Sequence, residues 1–135
     1  MLERDYIKRL IRQFFEAIEK LKEEKEKEDI PTVQLQVNSM YTAYFLKSAS
    51  FFYEQDTEFA IQYLASSFSP DELLERVEML SELFYQDALL KATHEARKDL
   101  LKKSLSLLTF LDTHSDTFSF ERRAKMANLQ ALIVK

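Results

Sequence analysis

The chain has no cysteine, no glycine and no tryptophan, and only two prolines, Pro31 and Pro70, in 135 residues. Without cysteine there is no disulfide framework, no thiol nucleophile and no thiolate metal site, a composition that suits a reducing compartment and leads to a cytoplasmic expectation. Without glycine the backbone lacks the residue that takes positive φ freely and lets a ligand approach closely. The P-loop, the dinucleotide fingerprint and the glycine-flanked serine elbow are thereby excluded. Tight β-hairpins lean on the same residue, which argues against a β protein. Long apolar runs are missing too: none comes near the roughly 20 residues that cross a bilayer. The opening Met1-Leu2-Glu3-Arg4-Asp5 carries acids and enters an amphipathic pattern directly, unlike a secretory signal. Positive charge is not in excess either. A net charge of −4 and a pI near 5.3 give no electrostatic pull toward nucleic acid or an anionic membrane, and neither is expected as a partner.

What is present fits one folded domain over 1–135: hydrophobic residues at 46% are enough for a core, and charges at 31% enough to solvate its surface. The expected fold class is all-α, five or six helices stacked as antiparallel hairpins and led by a long N-terminal amphipathic helix. In the first segment Ile7, Leu10, Ile11, Phe14, Ile18 and Leu21 recur at helical spacing, with Arg4, Lys8, Arg9 and Arg12 on other faces, which predicts a helix from 2 to 27. Its Lys/Glu-rich end, 22–28, is laced with i,i+3 and i,i+4 pairs and is expected to project or fray.

Pro31 breaks the chain there, because the residue before a proline is pushed out of helical geometry. Residues 1–29 thus form an N-terminal helix with a charged end, 31–69 a second unit and 70–133 a further set of helices. Between Pro31 and Ser69 only Lys47, Glu54, Asp56 and Glu58 are charged, beside nine aromatic residues. A charge-poor helix ringed by aromatics implies neighbours on several sides, so this segment is expected at the buried centre. Asp56 can cap a helix over 57–67. Ser69-Pro70-Asp71-Glu72 reads as a capping box that starts a helix at Pro70, with a stripe of Leu73, Leu74, Val77, Leu80, Phe84 and Ala88. A break near Thr93-His94, a second stripe from Leu100 to Leu111, a polar turn at 112–116 and a last helix ending at Ile133 complete the pattern.

Between 44 and 67, Tyr44, Ser48, Phe51, Ala60, Leu64 and Ser67 alternate large and small packing residues over two short helical stretches. On these residues the chain resembles the central part of a tetratricopeptide repeat. Lys47 stands where that family prefers an apolar residue, Gln55 replaces its turn glycine, and Pro70 arrives early. A poorer echo is Leu101, Ser104, Leu105 and Leu107 before the turn at 112–116. The resemblance covers about a fifth of the chain and implies a tetratricopeptide-like right-handed array of hairpins. It also implies a peptide-binding concave face, whose matching positions are Thr42, Phe45, Ala49, Phe52 and Tyr53. The stretches 5–11 and 117–122 are similar to segments of an uncharacterised bacterial all-helical family, a likeness that names no activity.

Other constellations read as structural. His94-Glu95 begins like a zinc-protease helix, but Lys98 stands where the second histidine belongs. His114 and Asp116 fall in a polar turn, where such residues serve local hydrogen bonds. Glu72, Glu75, Glu78 and Glu82 lack the Glu-x-x-His pairs of a di-metal bundle and read as a solvated acidic face. No catalytic residue, cofactor or metal is expected. The aromatic set points instead to a non-enzymatic interaction or scaffold module that holds a protein partner or a second copy of itself. Its rivals are a small-ligand binder or enzyme with an apolar pocket lined by Tyr41, Tyr44 and Tyr63, and a purely structural homodimer. If the N-terminal helix folds across the concave face, Phe45, Phe52 and Tyr53 become core.

Overall fold

In the computed structural model, which describes residues 2–135 and side chains from residue 5 onward, helices start where short polar side chains satisfy free backbone N–H groups. After α1 (Leu2–Lys27), the Asp29 carboxylate accepts from the Thr32 N–H at 3.0 Å and opens α2 (Ile30–Phe45). Ser48 opens α3 (Ala49–Glu54), and Asp56, accepting from the Phe59 N–H at 2.8 Å, opens α4 (Thr57–Ser67). A 3₁₀ turn at Pro70–Glu72 leads into α5 (Leu73–Ala88). Thr93 caps α6 (His94–His114) and Ser119 caps α7 (Phe120–Ile133), each accepting at 3.1 Å from the N–H three residues on. Every regular element among the described residues is helical. None of these helices is long and apolar enough to cross a membrane. The expected outward placement of Arg4 lies outside the described side chains.

Among the described residues there are seven α-helices, not five or six, because the chain breaks at Leu46. Leu46 takes φ 66°, the left-handed region, and its N–H returns to the Thr42 carbonyl at 3.1 Å. Such a cap costs a residue with a Cβ on the order of 1–2 kcal/mol, and in a chain without glycine some side chain has to bear it. The repeat-like window therefore runs through a turn. Ser48, expected as a small packing residue inside a helix, caps α3.

The capping box at Ser69 is also corrected. Ser69 makes no side-chain cap, and Glu72 reaches forward to the Arg76 guanidinium at 2.9 Å. Arg76 is buried, so its charge needs that acid more than the helix end needs a cap.

The buried centre is α5, not the charge-poor segment 31–69. It packs against α1, α2, α4 and α6 and buries Val77, Met79, Leu80, Leu83, Phe84 and Ala88. The α5–α6 contact is close because small residues face each other. Ser81 donates to the Ser104 carbonyl at 2.9 Å, and Ser104 to the Ser81 carbonyl at 2.7 Å, so neither buried hydroxyl is left unmatched. α1 covers the assembly with Ile7, Phe14, Ile18 and Leu21. Its charged end, expected to project or fray, is held down: Lys25 donates to the Gln86 side chain on α5 at 3.0 Å. At the far end α7 is clamped to α6 by Arg122 and Arg123, whose Nε atoms lie 2.9 and 2.8 Å from the two Asp112 carboxylate oxygens. The Arg122 hydrogen bond, with Arg123 beside it, holds the Asp112 carboxyl below the ordinary aspartate range.

Candidate functional site

The five residues expected to form a contact face do not share one. Phe45 and Phe52 are each 0% exposed. Phe45 packs edge-on against Phe14 of α1 at 6.3 Å and against Phe52 at 6.1 Å. Phe52 also meets Tyr41 at 5.7 Å, Tyr63 at 5.9 Å and Phe84 at 6.4 Å. After the left-handed turn at Leu46 both rings lie in the core, among residues of α1, α2, α4 and α5. Ala49 is half-buried, Tyr53 is half-buried and Thr42 alone is exposed.

Tyr53 belongs to a different constellation, centred on a buried acid. Asp87, near the end of α5, is fully enclosed, and its carboxylate accepts from four donors. Tyr41 and Tyr53 donate to Oδ2 at 2.8 and 2.6 Å, while Gln34 donates to Oδ1 at 3.0 Å and Lys91 approaches the same oxygen at 3.0 Å. Lys91 spends its other donors on the Tyr53 hydroxyl at 2.9 Å and the Gln34 carbonyl at 3.3 Å. Burial, reinforced by the Asp87 charge, pushes the Tyr41 hydroxyl well above the ordinary tyrosine range. Burial and the hydrogen bond to Asp87 do the same for Tyr53. Both phenols therefore stay protonated and serve as donors to the carboxylate. A network with every member satisfied orients α2, α3 and α5 relative to one another.

Sequence reasoning misses Asp87, Lys91 and Gln34. The available signal is positional: Asp87 lies seven residues after Leu80 and three after Phe84, on the inward stripe, and Lys91 follows at i,i+4.

The expected tyrosine-lined pocket is dispersed. Tyr41 is buried against Asp87, Tyr63 donates to the Phe45 carbonyl at 2.7 Å, and Tyr44 lines an open cleft of about 340 Å³ beside Leu46, Phe68 and Arg76. The acidic face of α5 is corrected in part. Glu82 is only 5% exposed, ion-paired with Lys125 and bonded to Gln86 at 2.9 Å, and Glu72 is engaged with Arg76, whereas Glu78 faces solvent. His114 contacts the Phe110 carbonyl at 2.9 Å and stacks on its ring at 4.1 Å, a local helix-end arrangement.

The outer side of α2 differs from all of this. Thr32, Leu35, Gln36, Ser39, Thr42, Ala43 and the capping Leu46 fall at helical spacing, and all are exposed, Leu35 at 67% and Leu46 at 61%. Not one is charged, and α2 carries no charged residue anywhere. No family model, no curated protein and no solved structure matches this chain.

Proposed function

We propose that the chain is a non-enzymatic interaction or scaffold module that holds a protein partner, or a second copy of itself, through the outer face of α2. The observation that supports this is the exposed, charge-free stripe from Thr32 to Leu46, in a chain where charged residues make up 31% of the sequence. Burying an ionised side chain is costly, and the centres of protein interfaces are depleted of charge for that reason. Ser39, Thr42 and Ala43 at the middle let another backbone come close, and Leu35 and Leu46 supply apolar anchors toward either end. In this reading residues 31–69 are one degenerate repeat-like hairpin, for which the buried Ala60 and Leu64 of α4 speak, and α1 is an addition outside it. The cysteine-free composition suits work in the cytoplasm.

The test is affinity capture from a native soluble extract with the full chain, run beside Leu35→Glu and Thr42→Arg, with mass in solution measured in parallel. Both variants should keep the wild-type melting temperature and lose the captured partner, or the dimer if the partner is a second copy. Retention of binding by both variants ends the proposal for this face. Phe52→Glu serves as the contrasting control: it should unfold the chain, because it buries a carboxylate among five rings.

A further inference from the structure

A second feature lies away from α2, where the end of α5, the first turns of α6 and residues 132–135 border a half-open pocket of about 140 Å³. Leu89, Leu101 and Leu132 form its apolar wall. Its polar lining comes from His94, Arg97, Lys98 and Lys135, and no carboxylate side chain contributes. Arg97, Lys98 and Lys135 bring three cations together in a chain whose net charge is −4. Among the described residues none of the four forms a salt bridge, and the one side-chain hydrogen bond they make is from Arg97 to the Lys91 carbonyl at 3.3 Å. The adjacent cations Arg97 and Lys98, without an ion pair, repel one another, and an anion would relieve that repulsion. A bare inorganic anion would leave the leucine wall uncovered. An apolar group carrying an acidic head satisfies both halves of the lining, and the volume admits a short chain but not a drug-sized molecule.

We propose that this pocket binds an amphiphilic anion, a carboxylate bearing a short apolar chain, with its head at Arg97 and Lys98 and its tail against Leu89, Leu101 and Leu132. Two sources present that chemistry: a free short-chain fatty acid, and the C-terminal carboxylate of a peptide ending in an apolar residue. The sequence motif His94-Glu95 with Lys98 in place of a second histidine fits this reading, since the lysine that spoils a metal site supplies a cation here.

The experiment is an amide-detected NMR titration of the full chain at constant ionic strength. The probes are sodium hexanoate, N-acetyl-leucine as the peptide-end mimic, acetate, 1-hexanol and hexylammonium. Hexanoate or N-acetyl-leucine should give saturable shifts at Leu89, at residues 94–101 and at Leu132, about tenfold tighter than acetate or hexanol, and hexylammonium should give none. Whichever of the two carboxylates binds more tightly identifies the source. Arg97→Gln combined with Lys98→Gln should weaken the hexanoate response by about tenfold and leave that to hexanol unchanged. Removing the same charge from α1 with Lys8→Gln and Arg9→Gln should have no effect. Acetate or hexanol binding as well as hexanoate, absence of saturation with both carboxylates, or an unchanged double variant overturns the proposal.

Discussion

α2 and α5 are each 16 residues long and pack against each other, yet they exchange the roles that composition assigns them. α2 contains no charge and turns one whole side to solvent, while α5 carries Glu75, Arg76, Glu78, Glu82 and Asp87 and is covered by four other helices. Charge therefore does not report exposure here. An ion met by a partner can be buried, and three of the five on α5 are: Arg76 with Glu72, Glu82 with Lys125, and Asp87 with Lys91 and two tyrosines. Conversely, an uncharged helix face is not forced inward, since threonine, serine and glutamine are content in water. α2 is left with an outer face that is inexpensive to desolvate.

The sharpest way to break this contrast is to remove the acid at the heart of α5. Asp87→Ala leaves the Tyr41 and Tyr53 hydroxyls and the Lys91 ammonium without their acceptor, and should cost about 3–5 kcal/mol, read as a fall in the urea midpoint. A loss below about 1 kcal/mol would show that the network is incidental to stability.

Next in size is the tyrosine side of the same network. Tyr41→Phe should cost about 1–2 kcal/mol at neutral pH. Because burial raises both tyrosines above the unfolded value of about 10, the folded state keeps its phenol protons where the unfolded chain loses them. That contribution is complete below pH ~10 and declines as pH rises beyond it. Melting curves from neutral to strongly alkaline pH should show the decline, shallower in Tyr41→Phe. Identical slopes in the two proteins would remove Tyr41 from the account.

The smallest effect belongs to α2. Leu35→Glu on its outer face should change stability by no more than about 0.5 kcal/mol in a monomer, by urea unfolding. A loss of several kcal/mol would mean that the face is already covered.

Legibility in the sequence followed the range of each interaction. The apolar stripes of α1 and α6 were readable because Ile7, Phe14, Ile18 and Leu21, and Leu100, Leu101, Leu107, Leu108 and Leu111, answer to local period alone. The cap at Asp56 and the break near Thr93 were readable for the same reason. The cap at Ser69 was not, since a buried arginine competes for Glu72. The break at Leu46 was hidden because no glycine or proline marks it, and with it went the placement of Phe45 and Phe52. Thr42, of the five expected contact residues, is the one that stands on the face now proposed.

By itself the sequence determined that the chain is helical: without glycine, and with apolar residues recurring every three or four positions, no other backbone buries its side chains and pairs its amides. Which helix lies at the centre was a tertiary decision. Asp87 can be enclosed only because its partners arrive from 53, 46 and 34 residues earlier in the chain, at Gln34, Tyr41 and Tyr53. No local pattern records that meeting. The cost of burying an ion is settled by what surrounds it after folding.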